Sequence, residues 1–135
     1  MPRRTRSLLA TFAAWTVFVW INRLANAWSS TTETTGAKVI STVLAAVFLA
    51  FAVATGWIAW RSGRQPLDRV GAVVLQAFAA WTASVWLVRL AAIVLADHSL
   101  GFKLVHAGLA VISVALAVPA WCAASGRWSS KMVTG

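Results

Sequence analysis

Polar residues interrupt this chain at wide intervals, and between them the apolar positions run on for about twenty residues or more. Four such runs stand out: Leu8–Trp28, Val39–Trp60, Val70–Ala96 and Leu104–Ala124. Crossing about 30 Å of hydrocarbon takes roughly 20 mainly apolar residues in a helix, whereas a strand of a membrane barrel alternates over about 10. Backbone groups in lipid must be satisfied internally, so runs of this length predict four transmembrane helices and an all-α polytopic membrane protein. The intervening segments are short. Ser29–Lys38 is a Ser/Thr-rich turn, Arg61–Arg69 carries Gly63 and Pro66 as a stop and a restart, and Asp97–Lys103 contains Gly101. No segment can hold a second domain.

Two of the runs repeat each other. Phe12–Ala25 reads FAAWTVFVWINRLA and Phe78–Ala91 reads FAAWTASVWLVRLA, with ten of fourteen positions identical. Gly36-Ala37-Lys38 answers Gly101-Phe102-Lys103, and Ser62-Gly63-Arg64 answers Ser125-Gly126-Arg127. Shared apolar composition does not align Trp, Arg and Lys in this way. The chain therefore divides into two tandem helical hairpins, residues 1–64 and 65–135, that together form one domain. Each copy has an even number of spans, so both lie the same way up and the pseudo-two-fold axis runs along the membrane normal.

Composition agrees with a membrane protein: 60% of the 135 residues are hydrophobic and 11% charged, against about 25% charged in soluble domains. The net charge of +9 would suggest nucleic acid on a soluble protein, but here it follows topology, and no nucleic-acid partner is expected. Arg3, Arg4 and Arg6, then Arg61, Arg64 and Arg69, then Arg127 and Lys131 lie on one side of the membrane, while Lys38 and Lys103 are alone on the other. The excess of basic residues on the cytoplasmic side predicts a multi-pass plasma-membrane protein with both termini cytoplasmic. Arg3–Arg6, the first apolar run and Ala25-Asn26-Ala27 imitate a cleavable signal. The run holds Arg23 and recurs inside the chain, so it reads as a retained span.

The second copy carries Trp81, Trp86, Arg89, Asp97, Phe102, Val105-His106, Ser113, Trp121 and Arg127. In these residues it resembles a family of small two-span membrane proteins from high-GC Gram-positive bacteria. The resemblance covers Phe78–Arg127 and implies a tandem version of a two-helix unit in a bacterial plasma membrane; it implies no activity. The first copy follows more loosely, with Ser41 near the place of His106, which speaks against a role for two symmetric histidines.

The sequence offers little catalytic chemistry. Glu33, Asp68 and Asp97 all lie in or beside loops, whereas ion-coupled transport uses intramembrane carboxylates. Small multidrug exporters match this chain in size but carry an acid in the first span. His98, His106 and Cys122 do not have the spacing of a metal or haem site. His98 reads as a solvated loop residue, His106 as a locally hydrogen-bonded one and Cys122 as a small packing residue. No nucleophile–base–acid pattern or phosphate loop is visible, so neither an enzyme nor a cofactor is expected.

The duplicated arginines are the candidates for function. Arg23 lies about 24 Å along the helix from Ser7, in the outer part of the bilayer, and Arg89 corresponds to it. Trp20 and Trp86 precede them by three residues, within reach of cation–π contact. One reading has both arginines snorkelling to headgroups as boundary markers. The sharper one joins them with Lys38 and Lys103 into a four-cation site for an anion or an anionic lipid head. Trp28, Trp57, Trp60, Trp121 and Trp128 fit an aromatic belt, while mid-span Trp15 and Trp81 are expected to pack in the bundle or against a partner. Ala46, Ala50 and Ala54, with Ala52 and Gly56 alongside, predict close packing of the second span in its hairpin. Pro119 is expected to kink the fourth span. The function expected from this pattern is a non-enzymatic accessory or scaffold component packing against lipids or a larger membrane protein. The alternative is an oligomeric channel or transporter for an anion or lipid head, with Arg23 and Arg89 at its mouth.

Overall fold

The computed structural model describes the backbone of residues 2–134 and the side chains of residues 2–126. Arg127, Trp128 and Lys131, expected at the membrane surface, lie outside the described side chains. The chain is an all-α membrane protein of four long helices: α1 (Arg3–Ser29), α2 (Thr35–Arg61), α3 (Arg69–Leu95) and α4 (Leu100–Thr134). Each has a stretch long and apolar enough to span a bilayer. The helices begin four or five residues before the predicted apolar runs, or one residue before in α3. Thr34 caps α2 by accepting from Ala37 N, and Asp68 caps α3 by accepting from Gly71 N. Gly36, Lys38 and Lys103 therefore lie in first helical turns rather than in turns between spans. Pro119 does not end α4, which runs unbroken past it.

Why these helices associate is written in a spacing of three and four. In α1 the positions Leu9, Ala13, Thr16, Trp20 and Ala27 are buried, and in α3 the positions Leu75, Ala79, Thr82, Trp86 and Ile93. In α2 the buried face is Ala45, Phe48, Ala52, Thr55 and Ala59, and α4 answers with Ala110, Ser113, Ala117, Ala120 and Ala124. A repeat of seven keeps one seam facing its neighbours in a left-handed bundle. Alanines on the α2 and α4 seams let the backbones approach closely, the main source of attraction between helices in lipid. The predicted Ala46–Ala50 ridge is not that seam. Ala46 and Ala50 are exposed, and the ridge one residue earlier, Ala45–Ala52–Ala59, does the packing.

Within each hairpin the pairs α1/α2 and α3/α4 pack most extensively, and α1 meets α4 and α2 meets α3 along narrower contacts, which places α1 and α3 on a diagonal. Large side chains bridge that diagonal. Phe12 stacks on Phe78 at 4.3 Å between centroids, and Trp20 meets Trp86 at 6.2 Å. Both pairs join equivalent residues of the repeat, so a pseudo-two-fold axis parallel to the helices passes between them. Phe48 stacks on Trp20 at 4.2 Å and Phe51 on Phe78 at 5.2 Å, so aromatic rings fill the centre of the bundle.

The symmetry fails where α2 has Phe48 and α4 has Ser113. Trp15 Nε1 donates to Ser113 Oγ at 3.0 Å. Trp81, its counterpart, lies against the ring of Phe48 instead, and its buried Nε1 has no hydrogen-bond partner. Both tryptophans pack against the core, which assigns them to the bundle. Trp28, Trp57 and Trp60 are exposed near helix ends, and Trp121 is exposed near the end of the apolar stretch of α4, as an interfacial belt requires. Cys122 is exposed, so it is not an internal packing residue: it falls off the α4 seam.

Candidate functional site

The seams of α1 and α3 carry arginine where they reach the end of the bundle that holds the α1–α2 and α3–α4 connections. Arg23 falls between Trp20 and Ala27, and Arg89 between Trp86 and Ile93, in the same three-four register as the buried residues. Both side chains are thus drawn to the inward face and half-buried.

Their surroundings differ. Arg23 Nη2 donates to Glu33 Oε1 at 3.0 Å and to Ser41 Oγ at 3.2 Å. Arg89 lies over two indoles, 5.6 Å from the Trp20 ring and 5.8 Å from that of Trp86, where the negative faces of the rings attract the cation. The Nε atoms of Arg23 and Arg89 and the Oε2 of Glu33 are buried without hydrogen-bond partners. Two guanidiniums against one carboxylate leave one net positive charge.

A cleft of about 220 Å³ opens between α1, α3 and α4, walled by Trp20, Arg23, Trp86, Arg89, Asn22 and His106. His106 Nδ1 is 2.9 Å from the carbonyl oxygen of Phe102. A carbonyl only accepts, so Nδ1 carries the hydrogen, and the local partner expected for this histidine is present. The cleft combines apolar indole walls, a guanidinium with an unused buried N–H and an amide side chain. That set suits a small anionic group.

The predicted site is assembled in part. Arg23, Arg89, Trp20 and Trp86 converge, but Lys38 and Lys103 do not join them. Lys38 sits over the Trp28 ring at 5.7 Å, and Lys103 Nζ donates to the Val94 carbonyl at 3.1 Å. Each lysine finds a nearer partner, an aromatic face or a free carbonyl in the last turn of α3, and has no reason to reach the axis. Cation–π pairing of each tryptophan with its own arginine also holds only for Trp86: Arg89 takes both indoles while Arg23 turns to Glu33. Glu33 is one of two acids near these cations in the sequence, and it pairs with Arg23; the contact of Ser41 with Arg23 is not apparent from its position. The available signal was that Ser41 and His106 occupy corresponding places in the repeat, so both flank the arginines.

Among the described residues no three His, Cys, Asp or Glu side chains group as a metal site. His98 is exposed and stacks on Phe102 at 4.5 Å. Comparison of the chain with protein-family models, with curated proteins and with solved structures gives no match.

Proposed function

We propose that this chain is a non-enzymatic accessory component of the bacterial plasma membrane that holds an anionic group, a lipid head or the acidic side chain of a partner, between Arg23 and Arg89. The single observation that carries the reading is Arg89: a half-buried cation on the inward seam whose buried Nε has no acceptor in the protein. Leaving a charged donor unsatisfied away from water costs about 1–3 kcal/mol or more, and the same guanidinium lines the adjoining cleft, where an anion offsets its charge. With both termini cytoplasmic, the cleft faces the outer leaflet, where Trp20 and Trp86 provide apolar walls.

The aromatic filling of the axis supports binding over conduction. Phe12, Trp20, Phe48 and Phe78 are each at most 1% exposed, so a single copy has no passage along its centre. An accessory role also fits the tiny connections and the absence of carboxylates from the middle of the spans.

The test is native mass spectrometry of the protein extracted from its own membrane in mild detergent, beside an Arg23→Ala/Arg89→Ala variant. A co-purifying anionic lipid or stoichiometric subunit that is lost in the variant supports the reading. Retention of every bound species by a variant that melts like the wild type refutes it.

A further inference from the structure

The opposite end of the bundle holds a second basic site, unrelated to the first. There α1 and the end of α2 enclose a groove of about 380 Å³. Arg3, Arg6 and Ser7 form its polar side, Ala10, Gly56 and Ala59 its floor, and Trp60 also lines it. Arg6 is the seam residue one step before Leu9, so α1 directs it toward α2, where its Nε donates to the Ala59 carbonyl at 2.9 Å. That carbonyl belongs to the last turn of α2 and has no helical partner of its own. Fixing Nε there holds the guanidinium in one place, with no bond from its two Nη nitrogens to an acceptor among the described residues.

Gly63 makes this position possible. A Cβ at residue 63 would fall 2.5 Å from Arg6 Nη2, 2.6 Å from its Cζ and 2.8 Å from Nη1. The second hairpin lacks the device although it repeats the Ser-Gly-Arg motif. Ala72 stands where Arg6 would be, and a Cβ at Gly126 would meet nothing within 4 Å. Among the described residues this arginine–glycine contact belongs to the first hairpin. Its surroundings are basic: Arg64 lies over the Trp60 ring at 5.2 Å, and Arg61 bonds the neutral Gln65. The one acidic side chain at this end among the described residues is Asp68, whose carboxylate caps α3.

We propose that this groove binds the phosphate of an anionic phospholipid, with Arg3 and Arg6 on the phosphate, Trp60 at the glycerol level and an acyl chain along Ala10 and Gly56. A fixed guanidinium presents paired N–H donors of the geometry that phosphate accepts. Small residues below it leave room for a chain, and an indole at a helix end is suited to the headgroup boundary. The apolar floor is what favours a lipid over free phosphate, which would gain nothing from it.

The experiment is a native mass spectrometry titration of the detergent-purified full chain with phosphatidylglycerol and, separately, phosphatidylcholine, with Arg89→Ala as background so that the opposite cleft does not contribute. Arg3→Ala/Arg6→Ala is expected to weaken the first phosphatidylglycerol step about tenfold, as loss of a charge-assisted pair implies, and to leave phosphatidylcholine unchanged. Gly63→Val, which keeps both charges but displaces the Arg6 guanidinium, is expected to weaken it several-fold, and it decides the matter should the double variant fail to fold. Unchanged phosphatidylglycerol affinity in Gly63→Val or in a folded double variant overturns the proposal. Competition by millimolar inorganic phosphate also overturns it, in favour of a soluble anion.

Discussion

Trp15 and Trp81 sit in identical FAAWT segments, yet replacing each with Phe should have opposite consequences. Both changes remove similar indole area from a partly buried position, so the transfer terms nearly cancel between them. What differs is the indole N–H. Trp15 Nε1 donates to Ser113 at 3.0 Å, and side-chain hydrogen bonds between membrane helices contribute about 0.6 kcal/mol on average and up to about 1.7. Trp81 Nε1 is buried with no acceptor, and removing an unsatisfied donor recovers about 1–3 kcal/mol. Trp15→Phe is therefore expected to be less stable than Trp81→Phe by about 1.6–4.7 kcal/mol, with Trp81→Phe near neutral or stabilising. Unfolding in mixed micelles of mild detergent and dodecyl sulfate, followed by circular dichroism, measures the difference. A double-mutant cycle of Trp15→Phe with Ser113→Ala isolates the bond itself and should return a coupling of about 0.6–1.7 kcal/mol. Equal losses for the two tryptophans, or a coupling indistinguishable from zero, would refute the reasoning and with it the account of broken symmetry.

Other perturbations test other parts of the structure. Glu33→Gln removes the carboxylate that holds Arg23 and raises the charge of the cleft by one, so anionic-lipid retention should increase several-fold; a decrease would mean that Glu33 contributes to binding rather than competing with it. Ala45→Leu should destabilise by about 1–3 kcal/mol because Ala45 is fully buried between helices, whereas Ala46→Leu on the exposed face should change unfolding little. Phe78→Ala empties the stack with Phe12 and Phe51 and should cost about 3–5 kcal/mol, read by the same unfolding assay; a loss under about 1 kcal/mol would show that the axis is loosely packed. Asp68→Ala removes the cap of α3 and should cost about 1 kcal/mol, with Asp68→Asn recovering most of it.

Much of the architecture is legible without coordinates, because in lipid the length of an apolar run and the need to satisfy every backbone group leave one solution. The four spans and the hairpin repeat follow from runs and identities. The inward register of Arg23 and Arg89 is also latent there, since each continues the three-four spacing of Leu9–Trp20 or Leu75–Trp86. Choosing the packing ridge of α2 was harder. Ala45 and Ala46 both start alanine-rich ridges, and a one-residue shift turns a helix by about 100°, so only the neighbouring helices select Ala45–Ala52–Ala59.

What tertiary structure alone decided is how two nearly identical hairpins came to differ. Local sequence gives Arg23 and Arg89 the same tryptophan three residues before, but their partners come from distant chain segments. Glu33 and Ser41 take Arg23, and Trp20 crosses the axis to join Trp86 under Arg89. Likewise Phe48 against Ser113 determines which of two equivalent tryptophans has a bond. The spans arise from transfer of a segment into lipid, a property of that segment by itself. Charge pairing and hydrogen bonding depend on which groups come within about 3 Å, and in this bundle that distance is set by packing between helices.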